Sequence, residues 1–266
     1  MFPTLLKFGS FEITTFGVMM FLAFMVGGWV LTKQLRKYGI DEEAASSIVM
    51  AAAIGGILGA KIYYAILFRD WRLLFDRAGL VWYGGLIGGA AAVSWVIVRR
   101  RIDFWTTADA AAPGLAIGYA LGRIGCFLVG DDYGSPTDAW FGIAFPKGAP
   151  PTTAQSLREF GVTVDPSITS DTVLRVHPTQ IYESGAALIM FFVLMRMNAR
   201  PHSRGRTFGL FLILLGIERF FVEFVRAKDD RFFGPFTVAQ IISVILVAVG
   251  AWLAAPRQRT IAPVGV

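Results

Sequence analysis

The sequence predicts an all-α polytopic membrane protein: about seven transmembrane helices with a small extracytoplasmic head. Three observations carry that prediction. Of the 266 residues, 55% are hydrophobic and 17% charged, against about 25% charged in an ordinary soluble domain. The shortage of charge is concentrated in stretches of about 20 residues, the length that crosses about 30 Å of hydrocarbon. Lysines and arginines collect at the ends of those stretches, where membrane topology places them.

The first span runs from Phe16 to Leu35. The second, 44–67, is rich in Ala and Gly. The third, 79–98, contains Trp82-Tyr83-Gly84-Gly85, and the fourth, 105–128, ends in Gly122-Arg123-Ile124-Gly125. The fifth, sixth and seventh are 178–196, 207–225 and 237–255. Spans two to four carry Gly55-Gly56-x-x-Gly59-Ala60 and Gly84-Gly85-x-x-Gly88-Gly89. Small residues at that spacing let helices approach closely in lipid, and most of these glycines are expected to serve packing. Glu12 interrupts the early apolar run and no small-residue cleavage site follows, so the first span is expected to stay as an anchor. Cys126 is the single cysteine, which excludes an intramolecular disulfide.

Twelve Lys and Arg lie in connections on one side: Lys33, Arg36, Lys37, Arg99, Arg100, Arg101, Arg196, Arg200, Arg204, Arg206, Arg257 and Arg259. Seven lie on the other, interleaved with Asp70, Asp76, Asp229 and Asp230. The richer side is expected to be cytoplasmic, with the N-terminus outside and the C-terminus inside. The net charge of +6 follows from these segment ends. No contiguous basic patch with stacking aromatics is present, so nucleic acid is not an expected partner. The chain reads as one transmembrane domain over 1–266, with residues 129–177 inserted as the head between spans four and five. That connection holds five prolines, Asp131, Asp132 and Asp138, and a connection of that length is usually functional or disordered. Trp140 to Phe145 alternates and is expected to contain a strand.

Charges inside apolar spans are costly and point to function. Here they are Lys61, Asp109, Arg123, Glu183, Glu218, Arg219 and Glu223. With the orientation above, Arg123, Glu183, Arg219 and Glu223 converge near the outer end of their spans. Arg219 and Glu223 are four apart, on one helix face. The plain alternative is a set of ion pairs that only ties helices together. Against it, Gly122 and Gly125 flank Arg123 and leave room for a ligand. A guanidinium fork also suits phosphate. Two arginines near the outer leaflet thus read as a phospholipid headgroup site. Tyr83, before Gly84-Gly85, is a candidate to face the same cavity, the alternative being an interfacial anchor. Cys126 lies one turn beyond Arg123 and Lys61 is a candidate partner of Asp109. His177-Pro178 opens the fifth span, with His177 either a base or a helix-end residue. No metal-ligand cluster, phosphate-binding loop, dinucleotide fingerprint or serine nucleophile elbow occurs, so neither metal nor cofactor is expected.

Four ordered motifs resemble the prolipoprotein diacylglyceryl transferase family. They are Gly122-Arg123-Ile124-Gly125-Cys126-Phe127 with Gly130-Asp131 and Gly134; His177-Pro178-Thr179-Gln180-Ile181-Tyr182-Glu183; Glu218-Arg219-Phe220-Phe221-Val222-Glu223-Phe224-Val225-Arg226; and Thr237 to Ser243 with Gln240. The resemblance implies an enzyme of the bacterial inner membrane. It moves the diacylglyceryl group of phosphatidylglycerol to the lipobox cysteine thiol of a preprolipoprotein signal peptide, forming a thioether and releasing glycerol 1-phosphate. By position, Arg123 and Arg219 would hold the phosphate, with Glu183 and Glu223 orienting them. His177 and Gln180 would support the site, and Asp131 would stand at its mouth. Gly84, Gly85, Gly122, Gly125 and Cys126 fall on motif positions around the bound substrates.

This sequence departs from the family pattern at four positions. Tyr83 replaces a His before Gly-Gly, Cys126 and Asp131 replace Asn and Glu, and Leu215 replaces a Tyr. A phenol is a poor base at neutral pH, so the thiol-activating half of the site is less completely matched than the phosphate half. The alternatives are a homologue that binds lipid or lipoprotein without transfer and a small-solute transporter. The transporter is disfavoured by the lack of internal repeats.

Overall fold

The computed structural model describes residues 3–8, 11–75, 81–227, 231–233, 236–255 and 260–261. Residues 79–80 of the third expected span, with Asp76, Arg77, Lys228, Asp229, Asp230, Arg257 and Arg259, lie outside the described residues. Each of the seven apolar stretches folds as helix. They are α1 (Thr15–Lys37), α2 (Glu42–Phe68), α3 (Trp82–Arg99), α4 (Phe104–Val129), α6 (Thr179–Asn198), α7 (Arg206–Val222) and α8 (Val238–Ala254). A short α5 (Ala154–Glu159) lies between α4 and α6. α1, α2, α4 and α6 are long and apolar enough to cross a membrane, and Tyr83–Arg99 and Val238–Ala254 are shorter apolar helices.

The helix ends follow from local chemistry. Asp41 caps α2 by accepting the Ala44 amide at 2.7 Å, and Asp103 caps α4 by accepting the Thr106 amide at 2.8 Å. Thr237 and Gln240 form a reciprocal capping box at α8. α4 stops at Gly130, whose φ of 77° is left-handed backbone that glycine adopts without penalty.

α2 packs along α3, α1 along α4, α4 along α6, and α7 along α8. The α2–α3 contact is made of glycine against glycine: a Cβ on Gly59 would sit 2.8 Å from the Gly88 Cα. Large apolar side chains point outward, among them Phe21, Met25, Trp29, Ile57, Leu67, Ile87, Ile189, Phe192 and Trp252. Buried positions include many alanines and polar groups such as Gln34, Asp109, Gln180 and Glu183 beside Leu31, Leu35 and Leu194. That inverted distribution suits a protein whose solvent is hydrocarbon. At one bundle end Lys33 lies 3.8 Å from the Trp29 ring centroid and Arg99 lies 5.5 Å from that of Trp95, as expected where cations reach an interface past aromatic rings.

Among the described residues, four two-stranded antiparallel sheets accompany the helices: β1 (Thr4–Phe8) with β2 (Phe11–Thr14), β3 (Ile143–Ala144) with β4 (Arg175–Val176), β5 (His202–Ser203) with β8 (Thr260–Ile261), and β6 (Arg231–Phe233) with β7 (Phe236–Thr237). The alternating stretch Trp140 to Phe145 thus yields a strand of two residues. Residues 130–177 have their own small core of Tyr133, Phe145, Ala154, Leu157, Val164 and Val176. The sixth stretch ends as helix at Val222, and Glu223–Val225 continues as a 3₁₀ turn that brings Arg226 back against the α4–α6 connection.

The bundle end opposite this connection is held by Asp109, which is completely buried. Its carboxylate accepts the amides of Gly205 at 2.7 Å and Phe208 at 2.8 Å, and faces His202 Nε2 at 3.6 Å. Asp109 therefore serves the start of α7. Burial opposes the His202 imidazolium, but the Asp109 carboxylate and the Arg200 carbonyl outweigh it and raise the His202 pKa above 6.5. A raised histidine contributes stability in full below its unfolded value, and loses it as pH rises through the folded one. The thermal midpoint is expected to fall as pH rises from 6 through that raised value, and His202→Gln to flatten the dependence.

Candidate active site

At the α4–α6 end, side chains from four segments meet. Arg123 from the last turns of α4 is 8% exposed, and Glu183 from the second turn of α6 is 1% exposed. The Arg123 Nη2 and Glu183 Oε2 form an ion pair. Arg219 of α7 stands 3.7 Å from Glu183 Oε1 and 2.8 Å from Glu223 Oε2. Asp132 bridges two guanidiniums, accepting Arg123 Nη1 at 3.0 Å and Arg226 Nη2 at 3.0 Å. Burial works to raise the Asp132 carboxyl, but Arg226 and Arg123 hold it below the usual carboxylate range.

The support around this network comes from the motif residues. Gln180 Nε2 donates to the Asp131 carbonyl at 2.6 Å, and Thr179 Oγ1 donates to the Asp132 carbonyl at 2.9 Å. His177 Nδ1 meets the Tyr182 hydroxyl at 3.2 Å. The His177 carbonyl accepts the Gly134 amide at 2.8 Å. Gly134 admits no side chain, since a Cβ would lie 2.5 Å from the Val225 carbonyl oxygen. Burial raises the Asp131 carboxyl above the usual range. Cys126 Sγ is 3.8 Å from Arg123 Nη1.

The structure therefore brings Arg123, Glu183, Arg219 and Glu223 together, with Asp131, Gln180 and Cys126 alongside. His177 ties residue 134 to the start of α6. Gly122 has open space to within 4.0 Å of Met20, while a Cβ on Gly125 would meet the Met19 Cβ at 2.9 Å. Gly125 thus accommodates the α1–α4 contact. Tyr83 stands on the first turn of α3, 47% exposed, and Gly84 and Gly85 face α2. Four members were not assigned to the site from sequence, although Glu218 was counted among the costly charges. Asp132 stands beside Asp131 with a left-handed φ of 54°, Arg226 closes the third motif, and Tyr119 and Glu218 lie one turn from Arg123 and beside Arg219.

Guanidiniums from two helices, already oriented by carboxylates, can receive a phosphate and stabilise charge developing on it. The bundle, with its apolar side chains turned outward, defines an all-α membrane protein. The family model described as prolipoprotein diacylglyceryl transferase matches residues 3–255. A phosphatidylglycerol–prolipoprotein diacylglyceryl transferase of Stenotrophomonas maltophilia is 32% identical over 273 residues, covering 97% of this chain and 92% of the relative. Relatives with the same name from Clostridium tetani and Xylella fastidiosa are 30% and 31% identical. They cover 94% of this chain in both cases, and 96% and 91% of themselves. The chain belongs to the prolipoprotein diacylglyceryl transferase family and is a transferase.

Proposed function

We propose that this chain transfers the diacylglyceryl group of phosphatidylglycerol to the lipobox cysteine of preprolipoproteins, leaving a thioether and glycerol 1-phosphate. The observation that supports this most is the Arg123–Glu183–Arg219 network, in a chain whose relatives carry that activity in their names. The protein sits in the bacterial inner membrane with seven spans. Its N-terminus is outside, its C-terminus is cytoplasmic, and residues 129–177 form the extracytoplasmic head.

The thiol sulfur attacks the glyceryl carbon bonded to the phosphate oxygen. As the carbon–oxygen bond breaks, charge grows on the leaving phosphate, and Arg123 and Arg219 stabilise it without reorganising. Glu183 and Glu223 keep the guanidinium forks aimed, and the Asp132–Arg226 pair closes the mouth. Tyr83, at the same bundle end, contacts the lipid and does not act as the base.

Expression in cells depleted of their own transferase tests this reading by the mass of a prolipoprotein. Diacylglyceryl addition is expected, and unmodified prolipoprotein would overturn it in favour of a binding homologue without transfer. In the same cells Tyr83→Phe is expected to keep activity within about tenfold of wild type, since a phenol makes a poor base at neutral pH. A larger loss would place its hydroxyl in the chemistry.

A further inference from the structure

The proposed transfer requires the substrate thiol to lose a proton, and the carboxylates around Arg123 are not equally free to take it. Asp132, Glu183 and Glu223 each face a guanidinium, and Asp131 stands in the α4–α6 connection, on the shallow side of Arg123. Glu218 differs. It is 9% exposed and makes no ion pair among the described residues. Its Oε2 accepts the Tyr119 hydroxyl at 3.4 Å. Its Oε1 is buried with no hydrogen-bond partner among the described residues. A carboxylate with no counter-ion in a helical core is expensive, and one hydrogen bond to Tyr119 is the only partner it has among the described residues.

Its position fits a task in the reaction. Tyr119 precedes Arg123 by four residues, on the same face of α4 one turn deeper in the bundle. Glu218 precedes Arg219 on α7. The groups facing Glu218 are Tyr119 and Arg123 from α4, Glu183 from α6 and Arg219 from its own helix. A lipid whose phosphate rests on the arginines sends its acyl chains away from the head, into the bilayer. The reacting carbon then lies on the deeper side of the phosphate. In-line displacement puts the incoming sulfur opposite the leaving oxygen, deeper again, at the level of Tyr119 and Glu218.

Resting on the proposed transferase function, we infer that Tyr119 and Glu218 form the proton-accepting pair of the site. The thiol proton passes to the Tyr119 oxygen as the Tyr119 proton passes to Glu218 Oε2. The sulfur lone pair forms the carbon–sulfur bond, the carbon–oxygen bond breaks, and its electrons leave on glycerol 1-phosphate. Glu218 then returns the proton to the phosphate or to water, so no further reactant is needed.

The test uses the full chain in phosphatidylglycerol vesicles with a lipobox peptide, following kcat and KM from pH 6 to 9.5. Glu218→Gln and Tyr119→Phe are each expected to lower kcat about 100-fold or more, with KM for the lipid within about threefold. The pH profile of Glu218→Gln should differ from that of the wild type. The variant's residual rate should climb toward the ordinary thiol pKa of about 8.5. Glu218→Asp, which keeps the carboxylate, should recover part of the loss. Wild-type kcat and an unchanged profile in either of the first two variants would overturn the pair, as would a loss carried in KM. If Glu218→Gln fails to fold, Tyr119→Phe, which removes one hydroxyl from a partly exposed ring, gives the same decision. A wild-type chain without transfer sinks the functional reading itself, whereas active wild type with unaffected variants sinks only this pair.

Discussion

Arg123→Ala is expected to lower transfer about 10³-fold or more, as when a preorganised donor to a developing anion is removed. It is also expected to destabilise the fold by about 3–5 kcal/mol, because Glu183 would be left charged, buried and without its main partner. The two effects separate. Arg123→Ala combined with Glu183→Ala removes both members of the pair and should regain much of the stability but none of the activity. Arg123→Lys keeps a charge and loses the planar fork, so transfer should still fall more than about tenfold. Phosphatidylglycerol turnover and thermal unfolding in the same detergent preparation read both quantities. Recovery of transfer in the double variant would show that Arg123 acts only as a helix tie.

Asp109→Ala is the second large effect, at the opposite bundle end. The substitution orphans the buried amides of Gly205 and Phe208 and removes the His202 counter-charge. Each buried unsatisfied donor costs about 1–3 kcal/mol, so the total is about 3–5 kcal/mol. A chain of this size should lose about 10 °C in thermal midpoint. Asp109→Asn retains one acceptor oxygen and should lose about half as much. kcat should change little in either variant at a temperature where both stay folded. A midpoint unchanged by Asp109→Ala would contradict the cap.

The helical bundle was legible because lipid imposes strong rules on sequence. Apolar length located all seven helices, and paired glycines such as Gly59 and Gly88 announced the close α2–α3 contact. Arg123, Glu183, Arg219 and Glu223 were legible for the same reason, since charge in an apolar span is rare and costly. What stayed hidden depends on tertiary geometry. Asp131 and Asp132 are neighbours with identical side chains. Only the left-handed backbone at Asp132 and the return of Arg226 select which carboxylate meets the guanidiniums. Gly125 reads as open space until Met19 of α1 is seen to fill it. Tyr119 and Glu218 belong to different helices, and no spacing in one segment reveals that they touch. The N-terminal hairpin Thr4–Thr14 is short and carries little alternation to announce it.

The central claim is that the paired arginines hold a phosphate while a thiol displaces it. The most direct measurement is the mass of a synthetic lipobox peptide incubated with the purified chain and phosphatidylglycerol of defined acyl chains. A gain equal to that lipid's diacylglyceryl group on the cysteine, with glycerol 1-phosphate released in equal amount and both lost in Arg123→Ala, is the predicted result. An unmodified peptide, or a modified one whose yield is indifferent to Arg123→Ala, would contradict it.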